Sequence, residues 1–202
     1  MGDSDRLPGT VPDRDAVEAL REDDRLGPLV ERHGPVGVAP AADPFRRLVV
    51  SVLRQQVSMS AAAAIRERLF DRIEVTPAGV LAADEAAMRE AGVSTAKVEY
   101  LRALAERWQQ EGYSVDYFAG MDDEAVAEEL QRVRGVGPWT SDMFLLFGLG
   151  RPDVFPVGDL GIREGMRTVH GEDLARAEMR ERARQWEPYR SYASRYLWLA
   201  VD

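Results

Sequence analysis

Glycine, tryptophan and aspartate residues that could bind a ligand or take part in a reaction lie within residues 135–159 of this chain of 202 residues. Gly135 and Gly137 form a Gly-Val-Gly turn that is followed by Pro138, then by Trp139, and twenty residues later by Asp159. Glycine permits backbone angles that other residues avoid, and proline suits the first position of a helix. We therefore predict a tight turn that presents backbone N–H groups beside a helix N-terminus, an arrangement that binds phosphate.

Asp159 is compatible with two roles. It precedes Leu-Gly-Ile-Arg at a predicted helix start, where an aspartate serves as an N-cap. A fixed carboxylate can also stabilise positive charge that develops in a transition state. The two roles do not exclude each other.

Four blocks of the chain, in order, resemble one protein family. They are residues 44–58, 93–101, 131–163 and 186–198. Together they resemble the helix-hairpin-helix DNA glycosylase superfamily, and within it the 3-methyladenine DNA glycosylase II family, over residues 44–202. The resemblance implies an all-α fold of two helical subdomains, with a helix-hairpin-helix motif and a DNA-binding cleft between them.

The resemblance also implies which residues carry the chemistry. Asp159 would stabilise the cationic sugar that forms as the glycosidic bond breaks. Trp139 occupies the position where bifunctional relatives carry a lysine nucleophile, so hydrolysis without strand cleavage is expected. Trp139, Met143 and Trp198 would contact the extruded base, and an electron-poor alkylated base would gain from a cation–π contact. For both tryptophans, a buried core position is the alternative.

Two further groups of residues are implied to bind DNA. Gln55 and Gln56 interrupt two apolar helices, and Gln56 matches the position that fills the duplex when a glycosylase flips a nucleotide out. An ordinary helix junction is the alternative for this pair. The hairpin would clamp a phosphate through Gly135 and Gly137, with Arg134 as an added contact or as a solvated surface residue.

No cofactor for catalysis is expected. The resemblance implies a structural monovalent cation, Na⁺ or K⁺, bound at the hairpin by the backbone carbonyls of Gln131, Val133 and Val136. His33 and His170 are isolated and lack metal-site spacing. The chain has no cysteine, which excludes disulfides, thiol catalysis and cysteine-ligated metal centres.

The net charge of the chain, −9 at pH 7, argues against a nucleic-acid partner, because contacts to phosphate need basic residues. The distribution of charge weakens this objection. Residues 1–33 contain nine acids against five bases and residues 81–130 contain twelve against four, whereas residues 131–170 contain four against five. The excess acid therefore lies largely outside the blocks that resemble the family.

The elements that position these residues are predicted to be helices. Apolar residues recur at three- and four-residue spacing, and alternating strand patterns are absent from the sequence. Helices are predicted to begin near Asp43, Thr76, Asp84, Ser94, Met121, Pro138, Asp159, Asp173 and Pro188. Residues 1–33 are predicted to be an acidic helical extension, and residues 34–202 a glycosylase domain of two interleaved helical subdomains.

We therefore predict a monofunctional, metal-independent DNA N-glycosylase of base excision repair. It would excise alkylated purines from double-stranded DNA by base flipping and Asp-assisted hydrolysis. The lesion is left open among 3-methyladenine, 7-methylguanine, ethenoadenine and hypoxanthine. No membrane and no obligate protein partner are expected, and the expected location is the cytoplasm, in association with the nucleoid.

Three other functions are compatible with parts of the sequence. A glycosylase-lyase like endonuclease III is disfavoured by the lack of cysteine and by Trp139 in place of the lysine. A non-catalytic, structure-specific DNA-binding helix-hairpin-helix protein would need neither Asp159 nor the pocket aromatics. An acidic helical scaffold rests on the net charge alone.

Overall fold

The computed structural model describes residues 12–201 of the chain. Helices make up 66% of it, and the described residues contain no strand. The predicted all-α fold is thereby confirmed. Across the same residues, none of the helices combines the length and the apolar character needed to cross a bilayer.

The chain divides into two compact units. Within the described residues, unit 1 comprises residues 12–41 and 145–201, and unit 2 comprises Ala42–Phe144. Unit 1 is thus built from segments near both ends of the chain, and the division agrees with the two helical subdomains that the resemblance implies.

Unit 1 packs helices from both of its segments around one core. Their bounds are α1 Arg14–Arg21, α2 Gly27–His33, α11 Leu160–His170, α12 Arg176–Ala183 and α13 Arg190–Leu199. Helices α11 and α13 approach closely at Gly165, where a Cβ atom would lie 2.4 Å from the carbonyl oxygen of Leu197. A glycine at this position therefore permits the contact.

The N-terminal segment shares the core of unit 1. Leu20 of α1 is fully buried in it. The hydroxyl of Tyr196 in α13 donates a hydrogen bond to the carbonyl of Gly34 (3.0 Å) and accepts one from the N–H of Val36 (3.3 Å). The boundary after residue 33 stays a prediction, but α1 and α2 are integral to the packing of this unit.

Unit 2 is continuous in sequence. Its helices are α3 Pro44–Arg54, α4 Met59–Arg72, α5 Pro77–Ala82, α6 Glu85–Glu90, α7 Thr95–Glu111, α8 Val115–Ala119, α9 Asp123–Gln131 and most of α10 Pro138–Phe147. Edge-to-face aromatic contacts centred on Trp108, which meets Phe45, Tyr113 and Phe144, fill part of its core. Such pairs add to the stabilisation from burial.

Most helix starts in unit 2 are fixed by capping side chains. The oxygens of Asp43, Thr76, Asp84, Ser94 and Asp122 each accept a hydrogen bond from a backbone N–H in the first turn that follows. Each bond satisfies a donor that has no partner within its helix. These caps confirm the helix starts predicted from the sequence.

Candidate functional site

The turn between α9 and α10 is the first part of the candidate site. The N–H of Val136 donates to the carbonyl of Val133 (3.0 Å), and the N–H of Ser141 donates to the carbonyl of Gly137 (3.0 Å). Neither bond occupies the N–H group of Gly135 or of Gly137. The turn therefore has the donors that the predicted phosphate clamp requires, next to the N-terminus of α10.

The two glycines of this turn serve different purposes. Gly135 has φ +88°, and a Cβ atom there would lie 2.1 Å from Cγ of Tyr100. Gly137 has no left-handed φ, and a Cβ atom there would meet nothing within 4 Å. The expectation that both glycines supply unusual backbone angles is right for Gly135 and wrong for Gly137, which instead leaves open space in front of the turn.

Glu129 fixes the end of α9 from which the turn departs. It is 7% exposed, and its carboxylate accepts hydrogen bonds from the Tyr113 hydroxyl (2.5 Å), from Arg107 (2.9 Å) and from Arg132 (2.7 Å). The hydrogen bond from Tyr113 is the largest of the effects that lower the pKa of Glu129. Burial raises the pKa of Tyr113, so this hydroxyl remains a donor at ordinary pH.

Arg134 lies beside the turn with 70% of its side chain exposed. Its guanidinium forms an ion pair with Glu99 (2.8 Å) and lies 6.0 Å from the centre of the Tyr100 ring. An exposed ion pair of this kind contributes about 1 kcal/mol or less. A DNA phosphate would therefore have to displace only a weak partner.

The predicted cation ligands also lie in this region. The carbonyl of Val133 already accepts the Val136 N–H, but a carbonyl oxygen has a second lone pair. The carbonyls of Gln131, Val133 and Val136 as cation ligands stay a prediction. Among residues 12–201, no cluster of three or more acidic or histidine side chains could hold a metal ion.

The loop between α3 and α4 is the second part of the site. Gln56 has φ +56°, the single positive φ among the non-glycine residues that the structure describes, and its side chain is exposed. A left-handed conformation costs such a residue about 1–2 kcal/mol. Residues held in strained conformations cluster at functional sites, which supports a role for this loop.

Gln55 connects this loop to the hairpin. Its side-chain nitrogen donates to the carbonyl of Gly135 (2.9 Å) and to the hydroxyl of Thr140 (2.9 Å). Both N–H groups of the amide are thus used inside unit 2. The predicted DNA contact of Gln55 stays a prediction, and the structure adds an internal role that the sequence gave no sign of.

Trp139 and Met143 lie one turn apart on α10. Trp139 is half-buried, whereas Met143 is only 2% exposed. Met143 therefore offers almost no surface to a base in this structure, while Trp139 is partly exposed. Base contacts by either residue stay a prediction.

Asp159 and Trp198 form a separate candidate group within unit 1. Oδ1 of Asp159 accepts the N–H of Ile162 (3.0 Å), which makes Asp159 the N-cap of α11, and also accepts the indole N–H of Trp198 (2.8 Å). A Cβ atom at Gly161 would lie 2.6 Å from the Trp198 ring. Trp198 also stacks on Phe147, with 5.5 Å between ring centres. The capping role of Asp159 is confirmed, and the indole fixes the carboxylate from a second side.

These features define a class of protein. The helices α9 and α10 and their turn form a helix-hairpin-helix with phosphate-binding potential, and a fixed carboxylate follows at the start of α11. The family model described as "HhH-GPD superfamily base excision DNA repair protein" matches residues 49–189. The chain belongs to this superfamily. The family assignment made from the sequence is confirmed.

Individual relatives agree with this assignment. The chain is 32% identical to DNA-3-methyladenine glycosylase 1 of Schizosaccharomyces pombe over 86% of its own length and 79% of the relative. It is 28% identical to a putative DNA-3-methyladenine glycosylase of Bacillus subtilis, over 88% of the chain and 66% of the relative. It thus spans somewhat less than two thirds of the latter protein.

A solved structure supports the same fold. The structure of the Schizosaccharomyces pombe 3-methyladenine DNA glycosylase Mag1 in complex with abasic DNA superposes with a TM-score of 0.83 at 29% identity. The superposition covers 91% of this chain and 95% of that one.

Proposed function

We propose that this protein is a monofunctional DNA N-glycosylase that excises alkylated purines of the 3-methyladenine type from double-stranded DNA. The observation that carries the proposal is the carboxylate of Asp159, whose Oδ1 is held by both the Ile162 N–H and the Trp198 indole. The names of the relatives and the abasic DNA bound by Mag1 support the substrate class.

Asp159 acts by electrostatics in this proposal. The reaction adds water across the bond between sugar and base, which releases the base and leaves an abasic site. Positive charge develops on the sugar as the bond breaks, and a negative charge fixed beforehand stabilises that state without reorganisation. The two hydrogen bonds on Oδ1 supply the fixation.

Recognition of the base is assigned to aromatic surface. The half-buried Trp139 stacks on the extruded base, and a cationic alkylated purine gains more from the face of an indole than a neutral purine does. Trp198 is proposed to contribute to base selectivity, whereas Met143, which is 2% exposed, makes no base contact in this structure. For Trp198, orientation of Asp159 is the primary role, because its indole N–H is already bound there.

DNA binding is assigned to the hairpin and to the loop at Gln56. The N–H groups of Gly135 and Gly137 bind a phosphate, Arg134 adds a charge, and Gln56 fills the space of the flipped nucleotide. Gly137→Val tests the clamp, because its side chain would fill the open space in front of the turn, which the phosphate needs, without a collision inside the protein. Affinity for duplex DNA should fall while circular dichroism stays unchanged. Unchanged affinity would remove the clamp from the mechanism.

Strand cleavage is not part of this function. Trp139 replaces the lysine nucleophile, and the chain's single lysine, Lys97, binds two backbone carbonyls through its ammonium group. Product DNA should therefore retain an intact abasic site until it is treated with alkali. Borohydride should trap no covalent adduct between protein and DNA, and a robust trapped complex would refute monofunctional hydrolysis.

The decisive experiment is the release of bases from randomly methylated duplex DNA, identified by chromatography. The expected products are methylated purines, and their relative yields decide among the candidate lesions. Binding to abasic or flipped-out DNA without release of any base would instead identify a structure-specific DNA-binding protein. The variant Asp159→Asn is the matched control for contaminating glycosylase.

A further inference from the structure

Lys97 is the one lysine among 26 basic residues of the chain, and its position is specific. It lies in the first turn of α7, and its Nζ donates to the carbonyl of Leu53 (2.7 Å) and to the carbonyl of Gln55 (2.8 Å). These carbonyls belong to the C-terminal end of α3. Lys97 therefore joins the start of one helix to the end of another, 42 to 44 residues away along the chain.

The location of this ammonium is locally unfavourable. The N-terminus of a helix carries partial positive charge, which disfavours a cation in the first turn of α7. Lys97 is also half-buried, and burial lowers its pKa. The two carbonyls offset these effects, because the C-terminus of α3 is the negative end of its dipole. A compact ammonium on a flexible stem reaches both carbonyls, whereas the planar guanidinium of arginine distributes its donors in a fixed fork.

The contact at Gln55 reaches the two DNA-binding elements at once. Lys97 holds the main-chain carbonyl of Gln55, and the Gln55 side chain binds Gly135 and Thr140 in the hairpin. The next residue is Gln56, with its left-handed backbone and exposed side chain. The base of the Gln56 loop is therefore fixed both at its main chain and at a side chain.

We propose that Lys97 is a positioning residue that holds the loop of residues 55–58 in the conformation that enters the duplex. This inference rests on the proposed glycosylase function. Loss of the ammonium leaves the start of the loop held only by the Gln55 side chain. The damaged nucleotide is then extruded less readily, while hydrolysis at the sugar, which uses Asp159 in the other unit, is unaffected.

The test compares one lesion in two contexts. Lys97→Met keeps the length of the stem and removes the donors. Single-turnover excision should fall about tenfold or more for a lesion paired in duplex DNA, because flipping must overcome a few kcal/mol of stacking and pairing. For the same lesion opposite an abasic site, which needs no wedge, the rate should fall less than about threefold. Equal loss in both contexts, or no loss in either, would overturn the positioning role.

The matched control is Arg102→Met. Arg102 lies on the same helix α7 and likewise donates to a backbone carbonyl at a helix end, that of Ala83 (3.1 Å), but it does not contact the loop. Its excision rates should remain at wild-type level in both contexts. A differential loss equal to that of Lys97→Met would assign the effect to general loosening of α7 and would contradict the proposal.

A second measurement does not depend on catalysis. In the DNA-free protein, amide hydrogen exchange of residues 55–58 should become faster in Lys97→Met and stay unchanged in Arg102→Met. If the wild type excises no base, the glycosylase proposal fails, and the exchange data still decide whether Lys97 fixes the loop. Lys97→Gln is assayed in parallel. Loss of the fold in both Lys97 variants would make the residue structural and would refute the inference.

Discussion

Replacement of Asp159 by asparagine separates the two roles that the structure combines in one carboxylate. The amide oxygen of asparagine can still accept the Ile162 N–H and the Trp198 indole N–H that Oδ1 now accepts. Shape and cap are kept, and only the negative charge is lost. We expect base excision to fall by roughly a hundred-fold or more in Asp159→Asn, as for other preorganised electrostatic groups.

The magnitudes distinguish charge from capping. Asparagine caps helices as well as aspartate does, so the variant loses only charge-dependent stabilisation of about 0.3–1 kcal/mol in the free energy of unfolding. Asp159→Ala, in contrast, removes the cap, at about 1 kcal/mol, and leaves the Trp198 N–H without its acceptor, at about 1–3 kcal/mol. A hundred-fold loss of rate corresponds to about 2.7 kcal/mol in the activation barrier.

The assay is a single-turnover excision rate measured beside a DNA dissociation constant, both at one fixed salt concentration. DNA affinity should stay the same or increase in Asp159→Asn, because the substitution removes a negative charge that repels the DNA phosphates. Thermal unfolding of both variants supplies the stability comparison. Excision near the wild-type rate in Asp159→Asn would reduce Asp159 to a helix cap and refute the proposed mechanism.

Three further predictions concern the surroundings of the site. Gly135→Ala should destabilise the fold by about 2 kcal/mol or more, measured by denaturant unfolding, because alanine disfavours the left-handed φ and its Cβ atom would collide with Tyr100. Stability near that of the wild type would contradict this packing. Glu99→Gln should lower the dissociation constant for duplex DNA and steepen its dependence on salt, because the substitution releases Arg134 from its ion pair. An unchanged dissociation constant would exclude Arg134 from the interface. Burial lowers the pKa of His170, so the contribution of this residue to stability is present above its unfolded pKa of about 6.5 and is lost as pH falls toward the folded pKa. His170→Gln should therefore make the free energy of unfolding less dependent on pH in that range. An unaltered pH dependence would contradict this prediction.

The features that could be predicted from the sequence are those determined by neighbouring residues, above all the starts of the helices. Capping residues such as Asp43, Thr76 and Ser94 stand next to the helices they start, so a few neighbouring residues carry the whole signal. The Gly-Val-Gly-Pro turn and the cap at Asp159 were predictable for the same reason. The five-residue helix α8, at Val115–Ala119, was not predicted, because so short an element has little periodicity.

The remaining parts of the site depend on partners that are distant in sequence. The Trp198 indole reaches Asp159 across 39 residues, and Tyr100 explains why residue 135 must be glycine. Neither the residue type nor the spacing of Trp198 and Tyr100 indicates in the sequence which residue each of them contacts. The internal role of Gln55 was hidden in the same way, since an amide between two helices is equally suited to DNA and to a neighbouring turn.

The order of the chain also has a consequence for folding during synthesis. The sequence of unit 2 is complete at Phe144, whereas unit 1 needs α13, and the bond between Val36 and Tyr196 joins residues 160 apart. At about 5–20 residues per second, several seconds of translation separate the emergence of these two parts. During that interval the apolar faces of α1 and α2 lack the helix that covers them. Helices α1 and α2 therefore stay unprotected until α13 emerges, and a ribosome that stalls before α13 leaves them open to chaperones and proteases.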